Sequence, residues 1–213
     1  MDLKIKGKVV IITGGGKGIG RGISEVYAEE GARLALLSRP SQATTDFINE
    51  LKASNVEVLL VEGDLVAENY CKDAIAKVVD HYGQIDILVN NAGINDGVSI
   101  EAGIEDFRKS LNRNIDHVYE LAHYALPYLK ETKGNIVNIT SKVADTGQGG
   151  TSGYAASKGA MNALTREWAL DLAQYGIRVN AVVPAEVMTP LYEAWLDTLP
   201  DADDVVKKIE NMI

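Results

Sequence analysis

Cysteine is nearly absent: Cys71 is the only one in 213 residues. No disulfide can form within the chain, which suits a reducing compartment. Positive charge is also short, with 21 Lys and Arg against 30 Asp and Glu and a formal net charge of −9. An acidic surface repels phosphate backbones and argues against nucleic acid as a partner. A small phosphorylated ligand needs only a local cation and stays possible. No apolar run approaches the ~20 residues of a membrane span. The opening MDLKIKGKVV has no long apolar segment before its first strand. Neither a membrane segment nor a signal peptide is therefore expected, and the expected location is cytoplasmic. The three histidines, His81, His117 and His123, share no ligand spacing with carboxylates. No metal site is expected, and all three read as surface or packing residues. Linkers and internal repeats are missing too, and the length is short for two domains. Residues 1–213 are expected to be one domain.

What is present is alternation. Short β-branched runs at Lys8–Thr13, Ala32–Ser38, Glu57–Glu62, Ile85–Val89, Asn135–Thr140 and Arg178–Val183 read as buried strands. Between them Gly18–Glu30, Thr44–Ser54, Glu68–Tyr82, Phe107–Lys130 and Gly153–Tyr175 have helical spacing. Leu191–Leu199 has it as well; Pro200 and the acids after it mark a break, and Val205–Ile213 is again helical in pattern. Strands alternating with helices imply right-handed βαβ units. The expected fold is α/β: a single doubly wound, Rossmann-type parallel sheet with helices on both faces.

The first strand runs into Thr13-Gly14-Gly15-Gly16-Lys17-Gly18-Ile19-Gly20 and then a helix. Glycines let a backbone approach a ligand closely, and the N–H groups and dipole at a helix start favour a pyrophosphate. A glycine cluster alone is only a turn; its place between strand and helix in the first βαβ unit makes it a dinucleotide site.

Tyr154 and Lys158 are four apart on a predicted helix and share a face. A free phenol titrates near pH ~10, and an ammonium beside it favours the phenolate. Such a pair can take a proton from an alcohol or return one to a carbonyl. Thr140 and Ser141 both sit where the fifth strand ends, at the carboxyl edge where such sheets bind ligands. On bare chemistry either hydroxyl could hold a reacting oxygen.

The spacing T-G-x-x-x-G-x-G, the Asn90-Asn91-Ala92-Gly93 run and Tyr154-x-x-x-Lys158, in that order over nearly the whole chain, resemble the short-chain dehydrogenase/reductase family. The resemblance implies an NAD(P)-dependent oxidoreductase. It implies a catalytic set of Asn114, Ser141, Tyr154 and Lys158, with Ser141 chosen over Thr140. Tyr154 and Ser141 would grip the substrate oxygen. Lys158 would lower the Tyr154 pKa and hold the nicotinamide ribose, and Asn114 would support a proton path through water. As a plain buried amide, Asn114 would instead be satisfied by backbone. Cofactor contacts are implied for Gly14, Gly16, Lys17, Gly18, Ile19 and Gly20, for Asp64 and Leu65 at the adenine, and for Asn91, Ala92 and Gly93 along the cleft. Pro184, Val187 and Thr189 would close it near the carboxamide, with Tyr154 and Lys158 beneath. Ser38 aligns with the acid that binds a ribose 2′-hydroxyl in NAD sites. A serine does not repel a 2′-phosphate, and Arg39 and Lys17 can pair with one. NADP is therefore the expected cofactor, with NAD open.

Pocket polarity favours a polyol or sugar over a steroid or acyl chain. Glu186, just after Pro184-Ala185, could accept from vicinal hydroxyls, or be a surface acid; Gln148 is also polar. Three runs, 146–154, 164–169 and 183–192, resemble the bacterial L-fucose dehydrogenase subgroup, which oxidises C1 of a pyranose to a lactone. The expected substrate-binding residues are Ser141, Gln148, Tyr154 and Glu186. The alternatives are a reductase for another carbonyl class (ketone, steroid or acyl), a non-catalytic NADP-binding protein, or a nucleotide-sugar epimerase of the related extended group. The resemblance also implies one further helix and strand beyond Ile213, and a homo-tetramer or homo-dimer built on the helices 107–130 and 153–175.

Overall fold

The structure, a computed structural model, describes residues 3–210. Six strands run in parallel: β1 Val9–Thr13, β2 Arg33–Ser38, β3 Val58–Glu62, β4 Ile87–Asn90, β5 Asn135–Ile139 and β6 Arg178–Val182. Their order across the sheet is β3-β2-β1-β4-β5-β6. The order reverses between β1 and β4, and the carboxyl ends of the strands meet there in a crevice. Register puts Ile11 beside Ala35 on one side and Leu88 on the other.

Period-two alternation along β1 builds both halves of the core. Val9 and Ile11 face one layer, with Leu37, Val78, Leu121 and Leu129. Val10 and Ile12 face the other, with Leu34, Leu36, Phe47 and Leu51. The sheet is covered on both faces, as expected from unbroken apolar strands.

The helices are α1 Gly18–Glu29, α2 Gln42–Ala53, α3 Tyr70–Tyr82, α4 Ile104–Leu111, α5 His117–Thr132, α6 Val143–Thr146, α7 Ser152–Asp171, α8 Pro190–Leu196 and α9 Ala202–Glu210. Helix α2 begins two residues earlier than its apolar pattern, because the Ser41 hydroxyl accepts from the Thr44 amide at 3.2 Å and caps it. The expected single helix 107–130 is three pieces. Helix α4 starts at Ile104, and a π-helical turn, Asn112–Asp116, separates it from α5. A π turn keeps the apolar spacing of an α-helix on either side, so periodicity cannot show it; such turns concentrate at functional sites. The tail of the expected helix 205–213 lies partly outside the described residues.

Asp86 ties the starts of β1 and β4 together. Its carboxylate, almost wholly buried, accepts from Lys8 Nζ at 2.8 Å, the Val9 amide at 2.9 Å and Gln84 Nε2 at 2.6 Å. Asp86→Ala strands the Val9 N–H and leaves Lys8 unpaired. A loss of about 2–3 kcal/mol is expected, read as a lower urea midpoint at constant m-value. A loss below about 0.5 kcal/mol would mean that water replaces the carboxylate freely.

Candidate active site

The glycine-rich turn leaves β1 at Thr13. Gly14 has φ +64°, a left-handed conformation that side-chain-bearing residues rarely adopt. At Gly20 there is no room for a Cβ: it would stand 2.1 Å from the Gly14 carbonyl oxygen. The first turn of α1 therefore lies directly on the loop. Lys17 precedes α1 without capping it through its side chain, which leaves the first helical N–H groups for a ligand.

Thr13 and Asn91 lock this loop to β4. The Thr13 hydroxyl accepts from the Asn91 and Ala92 amides, both at 2.9 Å. Asn91 Nδ2 donates to the Thr13 carbonyl at 2.9 Å. Asn91 thus braces the wall of the cleft with its own side chain. The role of Thr13 had no separate sequence signal, because a threonine before glycines is ordinary turn chemistry.

Ser38, at the end of β2, is buried, and its hydroxyl has no hydrogen-bond partner among the described residues. Arg39, the next residue, and Lys17, in the glycine turn after β1, are exposed. Asp64 is exposed, with one carboxylate oxygen accepting from the Val66 amide at 3.3 Å, and Leu65 follows half-buried. Across the cleft, Thr189 Cβ lies 3.8 Å from the position a Gly18 Cβ would take, so the segment from Pro184 through Val187 to Thr189 folds back over the glycine turn. An unpaired hydroxyl, an uncapped helix start and two exposed cations fit the phosphate and ribose groups of a dinucleotide.

Asn114 and Lys158 gather beside Gly93. A Cβ there would stand 3.2 Å from Asn114 Oδ1 and 3.3 Å from Lys158 Nζ, so these two side chains converge on one point. The π turn places Asn114, fully buried, with Oδ1 accepting from the Ile94 amide at 2.7 Å and Nδ2 donating to the Ser110 carbonyl at 3.0 Å. The amide is thus satisfied by backbone, and it stands beside Lys158.

Lys158 is 2% exposed on α7. Its Nζ donates to the Ile139 carbonyl at 2.7 Å and lies 5.6 Å from the Tyr154 ring centroid. Burial lowers its pKa to about 8. Burial also raises the Tyr154 phenol, while a hydrogen bond with the Ser141 side chain lowers it. Lysine was the expected depressor of the phenol; here its ammonium is held by β5, and Ser141 is the neighbour that acts on the phenol. The proximity of Ser141 to Tyr154 supports the choice of Ser141 over Thr140, whose hydroxyl is turned to the Val182 carbonyl.

Lys142 had no role read from sequence. Lys142 forms an ion pair with Glu186, and its amide donates to the Pro184 carbonyl at 2.9 Å. The Glu186 carboxylate is therefore not the free double acceptor expected, because Lys142 engages one oxygen. His117, read as a surface or packing residue, is buried at the head of α5. Gln148 stays exposed between α6 and α7 with no hydrogen-bond partner among the described residues. Among those residues no group of three or more His, Cys, Asp or Glu could hold a metal, and no helix is long and apolar enough to cross a membrane.

A family model described as short chain dehydrogenase matches residues 8–199. The chain is 34% identical over 210 residues to L-fucose dehydrogenase of Bos taurus, covering 98% of this chain and 76% of that one. It is similar to the crystal structure of Cj0485 dehydrogenase, with TM-score 0.92 and 44% identity, over 98% of this chain and 80% of that one. It is similar also to L-sorbose reductase from Gluconobacter frateurii, solved in complex with NADPH and L-sorbose. There the TM-score is 0.92 and the identity 28%, over 100% of this chain and 84% of that one.

Proposed function

The chain belongs to the short-chain dehydrogenase family of NAD(P)-dependent oxidoreductases, and we propose that it oxidises the C1 hydroxyl of an aldose such as L-fucose to the lactone, with NADP as the preferred cofactor. The observation that carries the reaction class is the convergence of Asn114, Lys158, Tyr154 and Ser141 at the carboxyl ends of β4 and β5. In this reading the nicotinamide, when bound, supplies or accepts the hydride. Ser141 and Tyr154 hold the substrate oxygen between their hydroxyls. Tyr154 takes the hydroxyl proton during oxidation and returns it during reduction. Lys158, held by the Ile139 carbonyl, keeps a positive charge under the phenol as it ionises, and Asn114 holds the neighbouring loop through Ile94.

Burial raises the phenol, so the acid form dominates at neutral pH. Reduction therefore runs at neutral pH and oxidation gains rate as pH rises. NADP is favoured by Ser38 in place of an acid, with Lys17 and Arg39 close in sequence to the same edge. Sugar is favoured by the Lys142–Glu186 pair beside Ser141 and Pro184, which offers both donors and an acceptor to adjacent hydroxyls. The two sugar-named relatives support the same class. Exposed Tyr119 on α5 and Leu170 on α7 suit a homo-oligomer through that helix pair, in a cytoplasmic enzyme built as one domain.

The test is absorbance of the reduced nicotinamide with aldoses, steroids, acyl thioesters and simple alcohols, each with NADP and with NAD. Turnover confined to L-fucose or a close aldose supports the reading; turnover of steroids or acyl thioesters alone replaces it with another carbonyl class. Glu186→Ala is expected to lower kcat/KM for L-fucose by about 10- to 100-fold, the cost of leaving hydroxyls and Lys142 unpaired. Unchanged kcat/KM would remove Glu186 from the sugar site.

A further inference from the structure

His117 is the buried titratable group near the catalytic residues that the mechanism above leaves idle. Its ring is 1% exposed, and neither Nδ1 nor Nε2 has a hydrogen-bond partner among the described residues. A neutral imidazole carries one donor and one acceptor, and buried polar atoms are nearly always paired. A leucine or phenylalanine would fill the same space without that cost, so packing alone does not account for the ring.

Its position supplies the account. His117 is the first residue of α5, directly after the π turn and three residues beyond Asn114. Helix α7 brings Lys158 against Asn114, three residues before His117. Asn114 Oδ1 and Lys158 Nζ both stand within 3.3 Å of the Cβ position at Gly93. The charged groups that bear on the ring are Lys158 from α7, Asp64 from the segment after β3, and Asp116 from the π turn. The Arg113 backbone bears on the ring as well.

We propose that His117 is a proton-relay residue of this site, extending the path Tyr154–Lys158–Asn114 into α5; the relay rests on the dehydrogenase reading above. It acts through Lys158 and is a positioning residue, touching neither substrate nor reacting carbon. During alcohol oxidation the proton leaves the substrate for Tyr154 and passes on by way of Lys158. A bridging water carries it to the lone pair of one imidazole nitrogen. The N–H proton on the other nitrogen passes to a second water on the side of exposed Asp64 and from there to solvent, and the ring ends as the opposite tautomer with no net charge. Neutrality is what the surroundings impose: burial and Lys158 push the His117 pKa down to about 4. A ring that swaps tautomers moves a proton without placing a second cation beside a buried ammonium.

Two variants test this, His117→Leu to keep the packing and His117→Gly to open the site. Both are expected to keep cofactor binding and to lower kcat about tenfold at pH 7, with KM within about twofold; a direct acid–base group is worth about 10²–10⁴. Imidazole added to His117→Gly restores kcat, whereas pyrazole, equal in size and a far weaker base, does not. Equal rescue by both, or kcat unchanged in His117→Leu, overturns the relay. ¹⁵N shifts of the His117 ring in ligand-free protein decide the matter independently of turnover. The expected result is a neutral ring that averages both tautomers and protonates only near pH 4. One locked tautomer overturns the proposal even if no substrate is found. A wild type that turns over no substrate in the panel, with averaged tautomers present, counts against the dehydrogenase reading and not the relay.

Discussion

Tyr154→Phe is expected to reduce kcat by about 10³- to 10⁴-fold while leaving the reduced cofactor bound as tightly as before. The substitution removes one oxygen from a half-buried ring and keeps its body in place on α7. In the proposed mechanism it removes the group that exchanges a proton with the substrate oxygen, and also half of the grip on that oxygen, leaving Ser141 alone. Ser141 cannot substitute as base, because a hydroxyl without its phenol partner stays far too weak an acid near neutral pH. KM should move much less than kcat, since the lost interaction strengthens as charge develops on oxygen. The thermal midpoint should stay within a few degrees, because the phenol is not a buried structural donor. The check is steady-state kinetics on the best substrate of the panel, beside fluorescence titration of the reduced cofactor. A variant retaining more than a tenth of wild-type kcat would take Tyr154 out of the acid–base role. A variant that lost cofactor affinity in parallel would show that the ring shapes the cleft.

Much of this site is legible in the chain because it is built from local rules. The strand Val9–Thr13 followed by glycines and a helix needs only short-range geometry, and the structure reproduces it. Tyr154 and Lys158 are one helical turn apart, so their shared face follows from 3.6-residue periodicity. What the sequence does not show depends on partners far away. The π turn at Asn112–Asp116 leaves no mark in the apolar pattern, yet it sets Asn114 beside Lys158 and His117 at the head of α5. Lys142 and Glu186 are 44 residues apart, and only the pairing of β5 with β6 brings their loops together. The Ile139 carbonyl as the partner of Lys158 is a backbone contact to which any residue at position 139 would contribute. Sequence can name the lysine but not what holds it.

Lys158→Met is expected to abolish turnover and at the same time to make the ligand-free protein more stable. Lys158 is nearly fully buried, and desolvation alone depresses its pKa to about 8 from an ordinary 10.5. Between those two values the unfolded chain binds more protons at this residue than the folded one. Stability contributed by this site therefore rises with pH from 8 to 10.5. Below pH 8 both states carry the charge and the whole burial cost stands. At ~1.4 kcal/mol per pKa unit the cost is roughly 3 kcal/mol. Methionine removes it and fills similar space, but leaves the Ile139 carbonyl without its donor, about 1 kcal/mol in the other direction. The net gain of roughly 2 kcal/mol corresponds to a rise in thermal midpoint of about 4–8 °C for a chain of this size. Thermal melts of both proteins at pH 7 and pH 10 check it: the variant leads at pH 7, and the gap narrows by pH 10 as wild-type Lys158 sheds its proton in the folded state first. A variant that melts lower at pH 7 would show the ammonium–Ile139 bond to be a net anchor of β5 to α7. The expected result places Lys158 at a cost in stability, as the proposed role of its charge under the Tyr154 phenol requires.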